Sequence, residues 1–265
     1  MKHRVLKIIR NLSNDEFKGP TIFKYHQINK FFYDLLINNE LWFSDPLSFN
    51  DPFDCNLNID ANNNTKDIEK YYKAAFWNKQ ENSDIDTKAL KDSNFSNKKA
   101  FQRKLNSMSK EIFKKLGISC FAQTKNNLLM WAHYADEHKG AVLEFNYEKD
   151  HTLFNSLKKV SYIPAYPAYN YTTNRNSIVS VLILNKSKHW EYEEEIRLIK
   201  SNSGLYIFNP NSLAAIYFGA RTPTKQISTI KNLIISLGKY DHVKLYKAEL
   251  NKTSYDLKYK EINKK

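Results

Sequence analysis

The chain reads as an α+β fold built on a mostly antiparallel sheet. Three observations support this: many short runs of bulky and β-branched residues, few amphipathic helical stretches, and no regular alternation of strand with helix. A length of 265 residues favours one domain carrying an insertion. We take residues 1–265 as that single domain, with a helical insertion at about 56–116.

TIFKYH (21–26) has the bulky, β-branched character of a strand. NKFFYDLLINN (29–39) places apolar residues at helical spacing behind Asn29, which can cap the helix start. LWFS (41–44) reads as a second strand, and DPLSFNDPFD (45–54), with two prolines and three aspartates, as an ordered turn. The composition shifts after Asn56: a polar linker precedes two amphipathic patterns, around 66–80 and 97–115. GISCFAQTKNNLLMWAHYADEHKGAVLEF (117–145) gives strand, helix and strand. KKVSYI (158–163) is a further strand, followed by an aromatic loop and a helix over roughly 176–186. EEEIRLIK (193–200), GLYIF and AAIYFG read as strands, TPTKQISTIKNLIISLG as an amphipathic helix, and HVKLYKAEL as the last strand.

At 42% hydrophobic and 14% aromatic the chain can bury a sizeable core. No apolar run approaches the roughly 18 residues that span a bilayer. MKHRVLKIIRNLSND lacks the apolar core and cleavage site of a signal peptide. Cys55 and Cys120 are too few for a disulfide framework or a zinc cluster, and Cys120, in an apolar strand, reads as a buried thiol. These features lead us to expect a cytoplasmic protein. The formal charge of +13 attracts nucleic acid, acidic proteins or anionic cofactors. It comes with a general Lys, Asn and Ile bias and no dense arginine cluster or nucleic-acid motif.

Three groups could carry chemistry. The first is Lys24-Tyr25-His26 at a strand end, with Ser44 closing the next strand. The second is Trp131-Ala132-His133-Tyr134, in which Trp131 is equally a core residue of an amphipathic helix. The third is Trp190 to Arg197, where strand alternation puts Glu193, Glu195 and Arg197 on one face and Glu194 on the other. Two adjacent carboxylates repel unless Arg197 or a substrate offsets them. HExxH, CxxC, GxSxG and Walker patterns are all missing, and His133 and His138 are not at i, i+4, so no metal is expected. Asp45, Asp51 and Asp54 form the one acidic cluster. We read their loop as structural, held by Pro46, Pro52 and the Asn50-Asp51 pair, with metal binding as the alternative.

LWFSDPLSFNDPFD, LMWAHYADEHKG and WEYEEEIRL resemble the signature of an uncharacterised bacterial domain family found around phage-defence loci. The order of elements is also similar to the ADP-ribosyltransferase superfamily. FKYH, a helix and LWFS look like its strand ending in His, helix and short apolar strand. GISCFAQTKNNLLMWAHYADEHKGAVLEF resembles its next unit, and Glu193-Glu194-Glu195 its Glu-x-Glu variant. That resemblance implies a split, mostly antiparallel sheet and NAD as substrate, in a phage-defence or toxin–antitoxin context. It implies Glu195 in catalysis with Glu193 in support, and Tyr25, His26, Ser44, Trp131, His133, Tyr134 and Arg197 around NAD. Either Trp131 or Tyr134 would stack on nicotinamide. The acceptor, nucleic acid or protein, stays open. The chain departs from the pattern at Gln27, where the polymerase type has glycine, and at Gln123-Thr124-Lys125, which lacks a leading serine. Two other readings stand beside this one: a non-enzymatic nucleotide- or protein-binding module of the same fold, and a basic nucleic-acid-binding protein or metal-dependent nuclease using Asp45, Asp51 and Asp54.

Overall fold

The computed structural model describes residues 17–55, 66, 98–166 and 178–264. The helix expected at 66–80 and most of the aromatic loop at 164–174 lie outside the described residues.

The described chain enters at β1 (Ile22–His26), turns through α1 (Lys30–Asn38) into β2 (Glu40–Phe43), and after α2 (Lys98–Phe113) continues as β3 (Gly117–Ala122). Helix α3 (Leu128–Tyr134) leads to β4 (Ala141–Phe145), and two short strands follow, β5 (Leu157–Lys159) and β6 (Ser161–Ile163). Helix α4 (Ile178–Leu184) runs directly into β7 (Asn185–Ser187), ahead of β8 (Glu195–Lys200) and β9 (Gly204–Ile207). The last elements are β10 (Leu213–Phe218), α5 (Thr224–Leu237), β11 (Lys244–Leu250) and β12 (Leu257–Glu261).

Eight of these strands form one sheet in the order β12-β11-β10-β4-β1-β3-β8-β5. Every step is antiparallel except β10–β11, which α5 connects. The fold is therefore mixed α+β with a large, mostly antiparallel sheet. Alternation along the strands sorts side chains onto two faces. One face carries Ile22, Phe121, Leu143, Phe145, Ile196, Leu198 and Ile216, and packs on Phe32, Leu35 and Leu36 of α1 and on Ile227, Ile230 and Ile234 of α5. The other carries Phe23, Tyr25, Ala122, Val142 and Ala215, and packs on Met130 and Trp131 of α3.

Local chemistry accounts for the helix starts. Asn29 accepts from Phe31 N and Phe32 N at 3.0 and 3.3 Å, and Asn127 accepts from Leu129 N and Met130 N at 2.9 and 3.1 Å. After α3, Asp136, Glu137 and His138 have φ of 47, 52 and 68°, a left-handed run that L-residues adopt at a cost. Gly140 lets the chain leave this turn: a Cβ there would lie 2.3 Å from His26 O.

Three sequence expectations change. KKVSYI is two strands, because β5 pairs with β8 while β6 pairs in parallel with β7. The strand expected from Glu193 starts at Glu195, because Lys188–Glu193 is a 3-10 turn and Glu194 is left-handed at φ 43°. Strand β12 follows HVKLYKAEL, the segment expected to be the last strand. Its exposed Lys258 and Lys260 give the edge the look of a charged tail, as edge strands commonly have.

The step between β1 and β3 positions the site. Both strands are fully laddered on their outer sides, yet between them only Phe23↔Ala122 is registered. Beyond that pair a side chain replaces backbone bonds: Lys24 Nζ donates to Cys120 O and to Ser119 Oγ, both at 3.1 Å.

Trp131 is core. It is 0% exposed, meets Tyr25 edge-on at 5.5 Å and donates from Nε1 to Lys125 O at 2.7 Å. Trp131→Ala should cost about 3–5 kcal/mol in urea unfolding; a loss below about 1 kcal/mol would show that α3 does not depend on it for docking.

Candidate active site

A cleft enclosing about 180 Å³ opens where β1 and β3 part. Its walls are Lys24 and Tyr25 from β1, Cys120 and Phe121 from β3, and Met130 and Tyr134 from α3. Phe49, Asn50 and Asp54 close one side, and Lys186, Glu193 and Glu195 form the head.

At the head lies a network of buried charges. Arg197 is 0% exposed. Its Nε donates to Glu195 Oε1 at 2.8 Å, and its Nη2 to Glu195 Oε2 at 3.0 Å and to Asp54 Oδ2 at 2.5 Å. Its Nη1 donates to Ile183 O at 2.8 Å and to Cys55 Sγ at 3.4 Å. Lys186 Nζ donates to Glu193 Oε2 and, at 3.1 Å, to Glu195 Oε2, and lies 3.7 Å from Asp54 Oδ2. Tyr134 OH donates to Glu193 Oε1 at 2.6 Å, and Glu195 N donates to Tyr162 OH at 2.8 Å. Buried ions are tolerated only when paired and hydrogen-bonded in this way.

The two glutamates, each 4% exposed, differ in their titration. Burial raises the Glu195 carboxyl, but Arg197 and then Lys186 overcome it and push the group down to about 2. Burial dominates at Glu193 and holds it above the usual range despite Lys186, with the charge of Glu195 adding to the rise. Burial opposes the charge on Lys186, yet Glu195 and Glu193 together raise it. Burial lowers Lys24, against the pull of Cys120 and Glu195, and raises the Cys120 thiol. The cleft thus holds one firmly ionised carboxylate beside one that accepts a proton more readily, a pairing suited to acid–base work.

Of the residues expected around a site, the structure brings Tyr25, Tyr134, Glu193 and Glu195 to the cleft. Arg197 lies beneath it as the buried partner of Glu195. His26 does not join them. It lies at the end of β1, beyond the cleft, with its ring 5.5 Å from that of Phe32, and burial lowers its pKa. Ser44 is also elsewhere, bridging to Ile118 through two backbone bonds of 2.9 Å. Trp131 is walled off beneath Tyr25, which leaves Tyr134 as the α3 aromatic in the cleft. His133 is exposed on the rim beside Tyr192. Cys120, expected to be a buried thiol, is half-buried and lines the cleft.

The three loop aspartates have separate partners. Asp45 Oδ1 accepts from Leu47 N, Asp51 Oδ1 from Phe53 N, and Asp54 pairs with Arg197. Among the described residues no group of three or more His, Cys, Asp or Glu is placed to hold a metal ion. Asp54, read as part of a turn, and Lys186, not singled out at all, are the network members that sequence reasoning missed. Nothing distinguishes Lys186 among 41 Lys and Arg residues.

A family model described as "Protein of unknown function (DUF2971)" matches residues 130–198, from within α3 through most of β8. The MWAHYADEHKG and WEYEEEIRL motifs fall inside this segment, and the DPFD loop falls outside it. No curated protein and no solved structure matches the chain. No helix among the described residues is long and apolar enough to cross a membrane.

The two glutamates should respond unequally to neutralisation. Glu195 is depressed from 4.5 to about 2, so its stabilisation is present above about 4.5 and lost as pH falls toward 2. Glu195→Gln should therefore lose about 3 kcal/mol at neutral pH, at about 1.4 kcal/mol per pKa unit, and this deficit should shrink in acid. Glu193 is raised, so its contribution is favourable only when protonated and is lost as pH rises. Glu193→Gln relieves that cost but takes a carboxylate from Lys186 and Tyr134, so it should cost less at neutral pH than Glu195→Gln. Urea titrations between pH 3 and 7 in which Glu193→Gln loses as much as Glu195→Gln, with the same pH dependence, would refute the assignment.

Proposed function

We propose that this cleft cleaves the nicotinamide–ribose bond of NAD, as an ADP-ribosyltransferase or NAD glycohydrolase acting in the cytoplasm, in phage defence or a toxin–antitoxin pair. The observation that carries this reading is the pair of unlike carboxylates, Glu193 and Glu195, at the head of a cleft between two parted strands. The parted β1–β3 step agrees with the split sheet that the superfamily resemblance implies.

In this reading the C1′–N bond breaks and its electron pair leaves with neutral nicotinamide. The ribosyl group becomes oxocarbenium-like, and the ionised Glu195, held rigid by Arg197, faces the developing charge. The oxygen of water or of an acceptor then bonds to C1′ and gives its proton to Glu193, whose raised pKa suits a base. Tyr25 and Tyr134 supply the aromatic walls. Lys24, and not the His26 expected around NAD, is the basic β1 side chain in the cleft wall, where it would face the substrate. The enclosed volume of about 180 Å³ lies below the roughly 300 Å³ of ordinary ligand pockets, so it would take the nicotinamide–ribose end while the adenosine extends along the open side.

Glu195→Gln should lower NAD cleavage on the order of 10²–10³-fold while calorimetry still detects NAD binding. Glu193→Gln should lower it by a comparable factor, and Glu194→Gln, at an exposed position, should do little. Circular dichroism would confirm that each variant is folded. Equal NAD turnover in all three would make the network a strut and leave a binding module.

A further inference from the structure

We propose that Lys186 is a positioning residue for the cleavage described above: a small ribbon outside the main sheet carries its ammonium between the two glutamates, where it keeps Glu193 free to take the nucleophile's proton. This rests on the reading above and names the side chain that readies its base.

Strands β6 and β7 form a parallel two-stranded ribbon apart from the eight-stranded sheet, and within it Tyr162 is registered against Lys186. Both members of this pair reach the same glutamate. Tyr162 OH accepts from Glu195 N at 2.8 Å, and Lys186 Nζ donates to Glu195 Oε2 at 3.1 Å. Just before β6, Val160 N donates to Glu195 O at 3.0 Å. The ribbon is thus fastened to the first residue of β8 by backbone and side chain alike. From that anchorage Lys186 Nζ also donates to Glu193 Oε2, with the Trp190 ring centre 5.2 Å away.

The other groups facing Glu193 do not replace this cation. Tyr134 of α3 donates to Oε1 at 2.6 Å, Tyr192 shares the turn and Tyr162 lies on β6, but burial raises all three phenols, so none is charged at neutral pH. Arg197 of β8 is taken by Glu195 and Asp54, and Lys24 of β1 by Ser119 and Cys120. Glu195 and Asp54 are like charges, the latter 3.7 Å from Lys186 Nζ. Among the described residues Lys186 is the one cation that hydrogen-bonds Glu193. Burial and the charge of Glu195 favour the protonated form of Glu193, and Lys186 opposes both. Without that ammonium Glu193 would hold a proton at neutral pH and could not serve as a base.

NMR titration of isotope-labelled glutamate carboxyls tests this without NAD, the Glu193 signal being the one missing from Glu193→Gln. Lys186→Met should raise the Glu193 midpoint by about 1–3 pH units, the size of effect an opposite charge at this range produces, and Lys186→Arg should return it toward the parent's. Lys186→Gln, which keeps a donor without the charge, should match Lys186→Met and replaces it if that variant fails to fold. In steady-state kinetics the acid limb of kcat for NAD cleavage should move up by the same interval, so that activity lost near neutrality partly returns in alkaline buffer. Tyr162→Phe removes the acceptor of Glu195 N but no charge, and should lower kcat at every pH without moving the limb. A Glu193 midpoint unmoved by loss of the ammonium, or a kcat loss equal at every pH, would make Lys186 a strut and overturn the proposal. A parent that leaves NAD intact sinks the enzymatic reading, while the carboxyl titration still decides whether Lys186 governs Glu193.

Discussion

The Arg197 guanidinium is the constraint on which the site depends. It sits on β8, one strand in from the sheet edge, with no exposed surface, where an unpaired charge would cost several kcal/mol. Its partners come from three parts of the chain: Asp54 and Cys55 on the loop after β2, Ile183 O at the end of α4, and Glu195 on its own strand. Removing any one leaves a buried charge or donor without its acceptor, so the loop, α4 and β8 are coupled through a single side chain. Lys186 extends the coupling by touching all three carboxylates.

Rigidity at the head contrasts with the break in the sheet. β1 and β3 share one registered pair, and the bonds missing beyond it are partly supplied by Lys24. A side chain that satisfies the carbonyl of Cys120 allows the strands to part without leaving that acceptor unpaired. The opening falls between β1, which brings Tyr25, and β3, whose other neighbour β8 brings Glu195, and α3 adds Tyr134. The cleft is thus a consequence of incomplete strand pairing rather than of a loop folding over the sheet.

Glu193 and Glu195 come together for a reason that strand alternation does not supply. In a continuous strand they would share a face about 6–7 Å apart. Here a 3-10 turn ends at Glu193, the left-handed Glu194 reverses direction, and both carboxylates converge on Lys186. Glu194 is left in solvent, as alternation also implied. The same turn carries Trp190 and Tyr192, whose ring centroids lie 6.0 Å apart.

Period, capping and composition are local properties, and these were legible in the chain: the mixed α+β class, the Asn29 cap, and the amphipathic helices seen at Lys98–Phe113 and Thr224–Leu237; Tyr25, Tyr134, Glu193 and Glu195 were legible as candidates, and the fold brings them to one cleft. A strand ending in Lys-Tyr-His does not show which of the three reach the cleft, because the gap between β1 and β3 admits Lys24 and Tyr25 from opposite faces of the sheet. His26, two residues beyond Lys24, lies against Phe32 instead. Lys186 and Asp54 were illegible because a buried lysine differs from a solvated one only through its partners, and those partners meet across the fold. Sequence determined which residue types were present and how each segment folds locally. Tertiary structure alone decided which charges lost their water, since burial is a property of neighbours that only long-range packing assembles.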